Sequence, residues 1–429
     1  MSEQIQDLLK FLAEATTPFH AVAAISWRLA AAGFEEIRSV DDAVLEPGRG
    51  YFLTRNDSSI IAFRVGQGAV TDGLRIIGAH TDSPNLSVKP NPLKIRHGVA
   101  QLAVDVYGGA LLNPWFDRDL SLAGRVNFIS DTDDLQSQLV DFRDPVAVIP
   151  SLAIHLDREA NQSRSINPQK DILPILLGAA SEGGTSFSFN AILAAQLRKQ
   201  YPEYDDIRVL DYEMSLYDTQ EAAVVGLEGE FLASARLDNL LSCHAGLTAL
   251  LSASADRWSM LVCNDHEEVG SASAVGAQGP MLTDVLDSLS GSPVALRALR
   301  TQALMLSVDN AHAVHPNFSD RHDDNHGPQL NAGPVIKINR NQRYATNSEG
   351  SALLRLLGER LGIPMQTFVM RTDLGCGSTI GPITATETGI STIDLGVPTL
   401  AMHSIRELAG VADINALGAL LTGFYNRAA

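Results

Sequence analysis

Hydrophobic and polar positions follow two distinct rhythms along the chain. Near the start, Leu8, Leu9, Phe11 and Leu12 recur at the spacing of one helix face, which predicts an amphipathic helix. Between residues 60 and 84 the pattern changes to strand-like runs, IIAFRV and then LRIIGAH. From about 94 to 233 the helical period thins out. Short alternating runs such as LAVDVYGGALL, LAGRVNFI and DPVAVIPSLAIHL are separated by glycine, proline and aspartate, the texture of a β-rich module. One helix is predicted inside it, near 186–199. After 234, helical stretches such as LLSCHAGLTALLSASAD alternate with buried strands WSMLVCN, ALMLSVD and VPTLAMH. Strand–helix alternation implies a mainly parallel sheet covered by helices on both faces. The pattern therefore predicts an α/β domain split in sequence, residues 1–93 and 234–429, with a β-rich domain, 94–233, inserted between the halves.

Composition narrows the class. With 32 Lys and Arg against 50 Asp and Glu, the net charge of −18 leaves no basic surface for nucleic acid. No apolar run reaches the length of a membrane span. The N-terminal stretch lacks the basic region and apolar core of a secretory signal. Cys243, Cys263 and Cys376 are too few and too dispersed for a disulfide framework or a CxxC metal site, which fits reduced thiols in a cytoplasmic protein.

Five strand-like runs each lead to a potential metal ligand. LRIIGAH ends in His80, with Asp82 two residues on; FLASARLD ends in Asp238; WSMLVCNDHEE leads to Glu267 and Glu268; ALMLSVD ends in Asp309; VPTLAMH ends in His403. Taken singly, each has a plain structural reading: a core histidine, a helix N-cap for Asp238, a solvated glutamate pair. Together they suggest convergence, because ligands of open α/β sheets bind beyond the carboxyl ends of the strands. Imidazoles and carboxylates without clustered cysteine suit zinc, with cobalt or manganese as alternatives. Such a set is large enough for two ions, which can clamp a water and polarise a carbonyl. Glu267 is the natural remaining base, since its neighbour Glu268 can take the metal. Asp82 is placed to accept a hydrogen bond from the second nitrogen of His80. No GxSxG elbow, HExxH helix or GxxxxGK[ST] loop supports a rival chemistry. The glycine-rich CGSTIGP at 376–382 reads either as a tight turn or as a loop whose backbone approaches substrate.

These residues sit in longer motifs. GAHTDSP (78–84), DYEMSLYDTQ (211–220), ARLDN (235–239), NDHEEVGS (264–271), SVDNAHAVHPN (307–317), VIKINRNQRYATN (335–347), CGSTIGP and LAMHSIRE (400–407) closely resemble the M18 aminopeptidases, the aspartyl aminopeptidase family, over nearly the whole chain. The resemblance implies a zinc-exopeptidase-like mixed sheet flanked by helices, with the β-rich insertion serving dimerisation. It implies two divalent ions per subunit. One is held by His80, Asp238 and Asp309, the other by Asp238, Glu268 and His403, with Asp238 bridging and Glu267 as general base and acid. It implies a cis peptide between Asp238 and Asn239.

His155, in LAIHLDR, falls where the family has a histidine that binds metal or contacts substrate in a neighbouring subunit. Lys337, Tyr344 and His312 fall on the family's substrate pocket, although Lys337 by pattern alone reads as a surface lysine. The implied activity is removal of N-terminal residues, Asp or Glu preferred, from small peptides by a closed homo-oligomer, a tetrahedral dodecamer built from dimers. A broader-specificity peptidase or deacylase on the same scaffold, and a self-assembling scaffold or cargo protein with incidental hydrolysis, are the alternatives.

Overall fold

The computed structural model describes residues 2–131, 134–176 and 188–426. The chain forms two compact units: residues 1–83, 222–402 and 407–429, and residues 84–221 with 403–406.

The first unit is built on a nine-stranded mixed sheet. At its centre the strands Trp258–Asn264, Leu74–His80, Leu304–Val308 and Ser391–Gly396 run parallel, in that order. Their burial is nearly continuous rather than alternating, because both faces are covered. One face packs on helices Glu3–Glu14, Pro18–Ala31, Leu237–Leu251 and Val411–Asn426 through Ile5, Leu8, Leu12, Ile25, Leu241, Leu247 and Leu421. The other packs on Met281–Ser290 and Pro293–Gln302 through Met281, Leu286 and Leu299. Each such side chain contributes roughly 1.5–3 kcal/mol by leaving water. The N-terminal helix forms as its apolar spacing predicts, with Ser2 accepting the N–H of Ile5 as its cap. A second, five-stranded sheet joins Ala223–Val225, Phe231–Ser234, Glu407–Gly410, Pro398–Leu400 and Ala311–His312.

The second unit is a seven-stranded sheet that closes on itself. The long strand Arg208–Asp218 pairs with Asn85–Arg96 on one side and with Leu120–Ile129 on the other. Inward residues alternate along the strands, as with Leu102 and Val104, or Leu122, Val126 and Phe128. The helix Phe189–Gln200 covers this core with Phe189, Leu193 and Leu197. It corresponds to the helix expected near 186–199, of which residues 186 and 187 lie outside the described residues.

The unit boundaries differ from the expected 94 and 233. Strand Asn85–Arg96 belongs to the second unit because it pairs with Val99–Tyr107 as a hairpin. Residues 223–234 belong to the first, because Phe231–Ser234 pairs with Glu407–Gly410. The short return His403–Arg406 joins the second unit.

Candidate metal centre

Three of the expected strand ends meet beyond the parallel core of the large sheet. His80 and Asn264 are in register on adjacent strands, so the turn carrying Glu267 and Glu268 starts beside His80. Asp309 follows the next strand, Leu304–Val308, and its N–H donates to the Leu395 carbonyl. Gly396 is needed there. A Cβ at that position would lie 1.8 Å from the Asp309 carbonyl oxygen, so any side chain would displace the Asp309 turn. Of the five runs expected to converge, two come from another sheet: the strands before Asp238 and His403, Phe231–Ser234 and Pro398–Leu400, belong to the five-stranded sheet. Asp238 nevertheless joins His80. It is no N-cap but sits in the first turn of Leu237–Leu251 with non-helical φ −83° and ψ 103°. The Asp238–Asn239 peptide is cis, as the resemblance implies.

The imidazole of His80 is the hub. Its Nε2 lies 3.5 Å from Asp238 Oδ1, 3.6 Å from Asp309 Oδ1 and 3.9 Å from Glu267 Oε2. Its Nδ1 lies 3.0 Å from the Asp82 carbonyl and 3.3 Å from Asp82 Oδ1. Asp82 does more than hold that ring. Its two carboxylate oxygens accept the N–H groups of Glu267, at 3.1 Å, and Glu268, at 3.0 Å, which fixes the turn Glu267–Val269. One buried carboxylate thus sets the positions of a histidine and both glutamates.

The electrostatics follow from crowding. Burial would lower the His80 pKa, but Asp238, Asp309 and Asp82 overcome it and raise it well above the ordinary value. Burial, with the negative charges of Asp309, Asp238 and Asp82, pushes the Glu267 carboxyl up to about 8 against the pull of His80. Glu268 is raised too, by burial and by Asp238. Asp309 goes the other way: burial would raise it, but the Lys337 ammonium and His80 hold it low. Five carboxylates around one imidazole carry more negative charge than such a volume tolerates, so the site takes up protons or a cation. Single ligand atoms of His80, Asp238 and Asp309 lie within 4.8 Å of one another, as do those of His80, Glu267 and Glu268. An imidazole with carboxylate oxygens is a donor set that suits zinc.

Lys337 is not a surface lysine. It is 2 % exposed, and its Nζ donates to Asp309 Oδ2 at 3.1 Å and lies 5.4 Å from the centre of the Tyr344 ring. Its strand Val335–Ile338 belongs to the large sheet, so the alternation of VIKI turns it inward. Tyr344 is buried against Phe368, and the exposed His312 packs edge-on to the same ring at 5.6 Å. The CGSTIGP segment is largely a cap. Thr379 begins the helix Ile380–Thr388, and its hydroxyl donates to the buried Asp394 at 2.5 Å. Asp394 also accepts the N–H of Ala345, tying this loop to the one carrying Tyr344. Sequence reading missed Gly396 and Asp394, whose only signal is their place in IDLGVP at the end of a central strand.

His403 and His155 belong to the second unit. His403 has a left-handed backbone, φ 65°, and its Nδ1 lies 3.2 Å from the Gly109 carbonyl, while its own carbonyl accepts the N–H of Leu111. His155 lies on an exposed turn beside exposed Leu152, Ile154 and Leu156.

A buried imidazole–carboxylate cluster beyond the carboxyl ends of a doubly covered sheet is the arrangement of a metal-dependent hydrolase. Residues 11–425 match the family described as aminopeptidase I zinc metalloprotease (M18), and the chain belongs to that family of zinc-dependent aminopeptidases. It is 56% identical over 420 residues, 97% of each chain, to a Pseudomonas entomophila protein named "Probable M18 family aminopeptidase 2". A protein of the same name from Pseudomonas fluorescens is 56% identical over 423 residues, 98% of this chain and 97% of that one. Among solved structures, that of the Ape4 and Nbr1 complex has a TM-score of 0.93 at 38% identity, covering 98% of this chain and 85% of that one. The S. cerevisiae mApe1 dodecamer has a TM-score of 0.85 at 29% identity, covering 99% and 96%. Among the described residues, no helix is long and apolar enough to cross a membrane.

Proposed function

We propose that this aminopeptidase removes N-terminal residues, Asp and Glu preferred, from small peptides in the cytoplasm, using two zinc ions per subunit. The observation that carries the reading is the convergence of His80, Asp238 and Asp309 within ligand distance of one another, with Glu267 beside them. His80, Asp238 and Asp309 would hold one ion; Asp238, Glu268 and His403 would hold the other. When bound, such ions polarise a peptide carbonyl and activate water near neutral pH.

The protein's own groups do the rest. Glu267, 3.9 Å from His80 Nε2 and so beside the ligand cluster, accepts the proton of the attacking water and returns it to the leaving amine. Asp82 keeps Glu267 and Glu268 from rotating away by holding their backbone N–H groups. The Lys337 ammonium, with Tyr344 and His312, supplies positive and polar surroundings for an acidic first side chain; a chain of net charge −18 needs such a local cation. The same lysine steadies Asp309.

His155 would serve the site of a neighbouring subunit in a closed dodecamer built from dimers. Its exposed turn and exposed apolar neighbours support that reading, as does the dodecamer of the S. cerevisiae relative.

The test is turnover of dipeptide substrates with N-terminal Asp, Glu or Leu, and of acylated amino acids, by metal-stripped protein reloaded with zinc, cobalt or manganese. Restored cleavage of the Asp and Glu substrates by zinc is expected. Preference for acylated amino acids would make the protein a deacylase. Absence of turnover with every metal would point to a scaffold.

A further inference from the structure

Asp238 is held by contacts along its backbone, and one of them comes from a residue with no part in the chemistry above. Glu407 opens the strand Glu407–Gly410 and pairs through its backbone with Ser234, the last residue of Phe231–Ser234. Its side chain spans the following turn, and its Oε2 accepts the N–H of Asp238 at 3.0 Å. Glu407 is 1 % exposed. A carboxylate so deeply buried persists where it is hydrogen-bonded.

The rest of the turn is anchored as firmly. The Arg236 guanidinium donates to the carbonyls of Leu12 and Ala15. The Ser83 hydroxyl donates to the Asp238 carbonyl at 2.6 Å, and Asn239 Nδ2 donates to the Val308 carbonyl at 2.8 Å. With its N–H and C=O both held, Asp238 has little freedom except in its side chain, which points toward His80.

We infer that Glu407 is a positioning residue for the metal centre: by holding the amide of Asp238 it fixes the direction of the carboxylate proposed to bridge the two ions. Partners of this kind around a metal ligand commonly govern metal affinity as strongly as they govern packing. The competing reading is a plain helix cap, which would affect fold stability and leave metal affinity alone.

The inference rests on Asp238 being a ligand, so the experiment includes Asp238→Ala. Zinc affinity is measured by competition with a chromophoric chelator for the wild type, Glu407→Gln, Glu407→Met and Asp238→Ala. Melting of each metal-free protein is followed in parallel. Gln keeps an acceptor for the Asp238 N–H; Met keeps the volume but removes the acceptor. Zinc binding is expected to weaken about 10- to 100-fold in Glu407→Met and to stay within about threefold of wild type in Glu407→Gln, with similar metal-free melting. Wild-type affinity in Glu407→Met, equal losses in both variants, or a metal-free Glu407→Met that does not fold would overturn the assignment. Wild-type zinc affinity in Asp238→Ala would instead remove the ligand reading itself, whatever Glu407 does.

Discussion

At the scale of single residues, the proposed mechanism separates holding a metal from moving a proton. Glu267→Gln removes the acceptor of the proton while leaving His80, Asp238, Asp309 and Glu268 in place, so zinc content should be unchanged. Turnover should fall by about two to four powers of ten. Metal analysis alongside single-turnover kinetics checks both halves, and near-normal turnover would move the base elsewhere. Lys337→Met has two readouts because the lysine has two neighbours, Asp309 and the Tyr344 ring. Cleavage of N-terminal Asp and Glu should lose about 1.5–3 kcal/mol of binding relative to Leu, roughly ten- to hundredfold. Equal loss for all three substrates, together with weaker zinc binding, would assign the lysine to Asp309 alone. His80, Glu267, Glu268 and Asp309 were legible in the sequence because each follows an apolar run of the central sheet. The pairing of Lys337 was not, because an inward lysine in a short strand looks like an outward one until its partner, 28 residues earlier, is placed beside it.

Elements carry a second kind of information. Helix Glu3–Glu14 was legible from its apolar spacing, but its link to Leu237–Leu251 is polar: Asp7 Oδ2 lies 2.8 Å from Nε2 of the buried His244. That hydrogen bond lowers the Asp7 pKa. A carboxyl with a lowered folded pKa adds stability above its unfolded value, near 4, and loses it as pH falls through the folded value. Asp7→Asn should therefore melt below the wild type at pH 7, with the gap closing below about pH 4. A gap that stays constant over that range would deny the pair any pH-linked role. Alternation says that a run is a strand but not which sheet receives it. For that reason the alternation of VPTLAMH with helices points to the large sheet, although the run pairs in the smaller one. The start of the second unit was read late for a similar cause, since Pro90 and Pro92 break the alternation inside the strand Asn85–Arg96.

At the scale of the molecule, the proposed assembly makes a prediction of its own. His155→Ala and Glu267→Gln subunits should each be inactive alone. Co-assembled, some sites would combine an intact Glu267 with a neighbour's intact His155, and activity should partly return. Verified mixed oligomers without recovery would confine His155 to its own subunit. The path of the chain between the two units has a further consequence. The backbone passes into the second unit at Pro84, four residues after His80, leaves before residue 222, and visits it again for His403–Arg406 alone. In that visit Ile405 is buried in the second unit's core, and Arg406 donates to the carbonyls of Gln220 and Glu221. The insertion is therefore no interchangeable cassette. Replacing 84–221 by a short linker would leave a histidine-bearing segment stripped of its supports, so gene truncation or domain shuffling at this locus should yield proteins that keep the large sheet but not a properly held His403. A lineage that acquired the insertion and came to rely on that histidine could not discard one without the other.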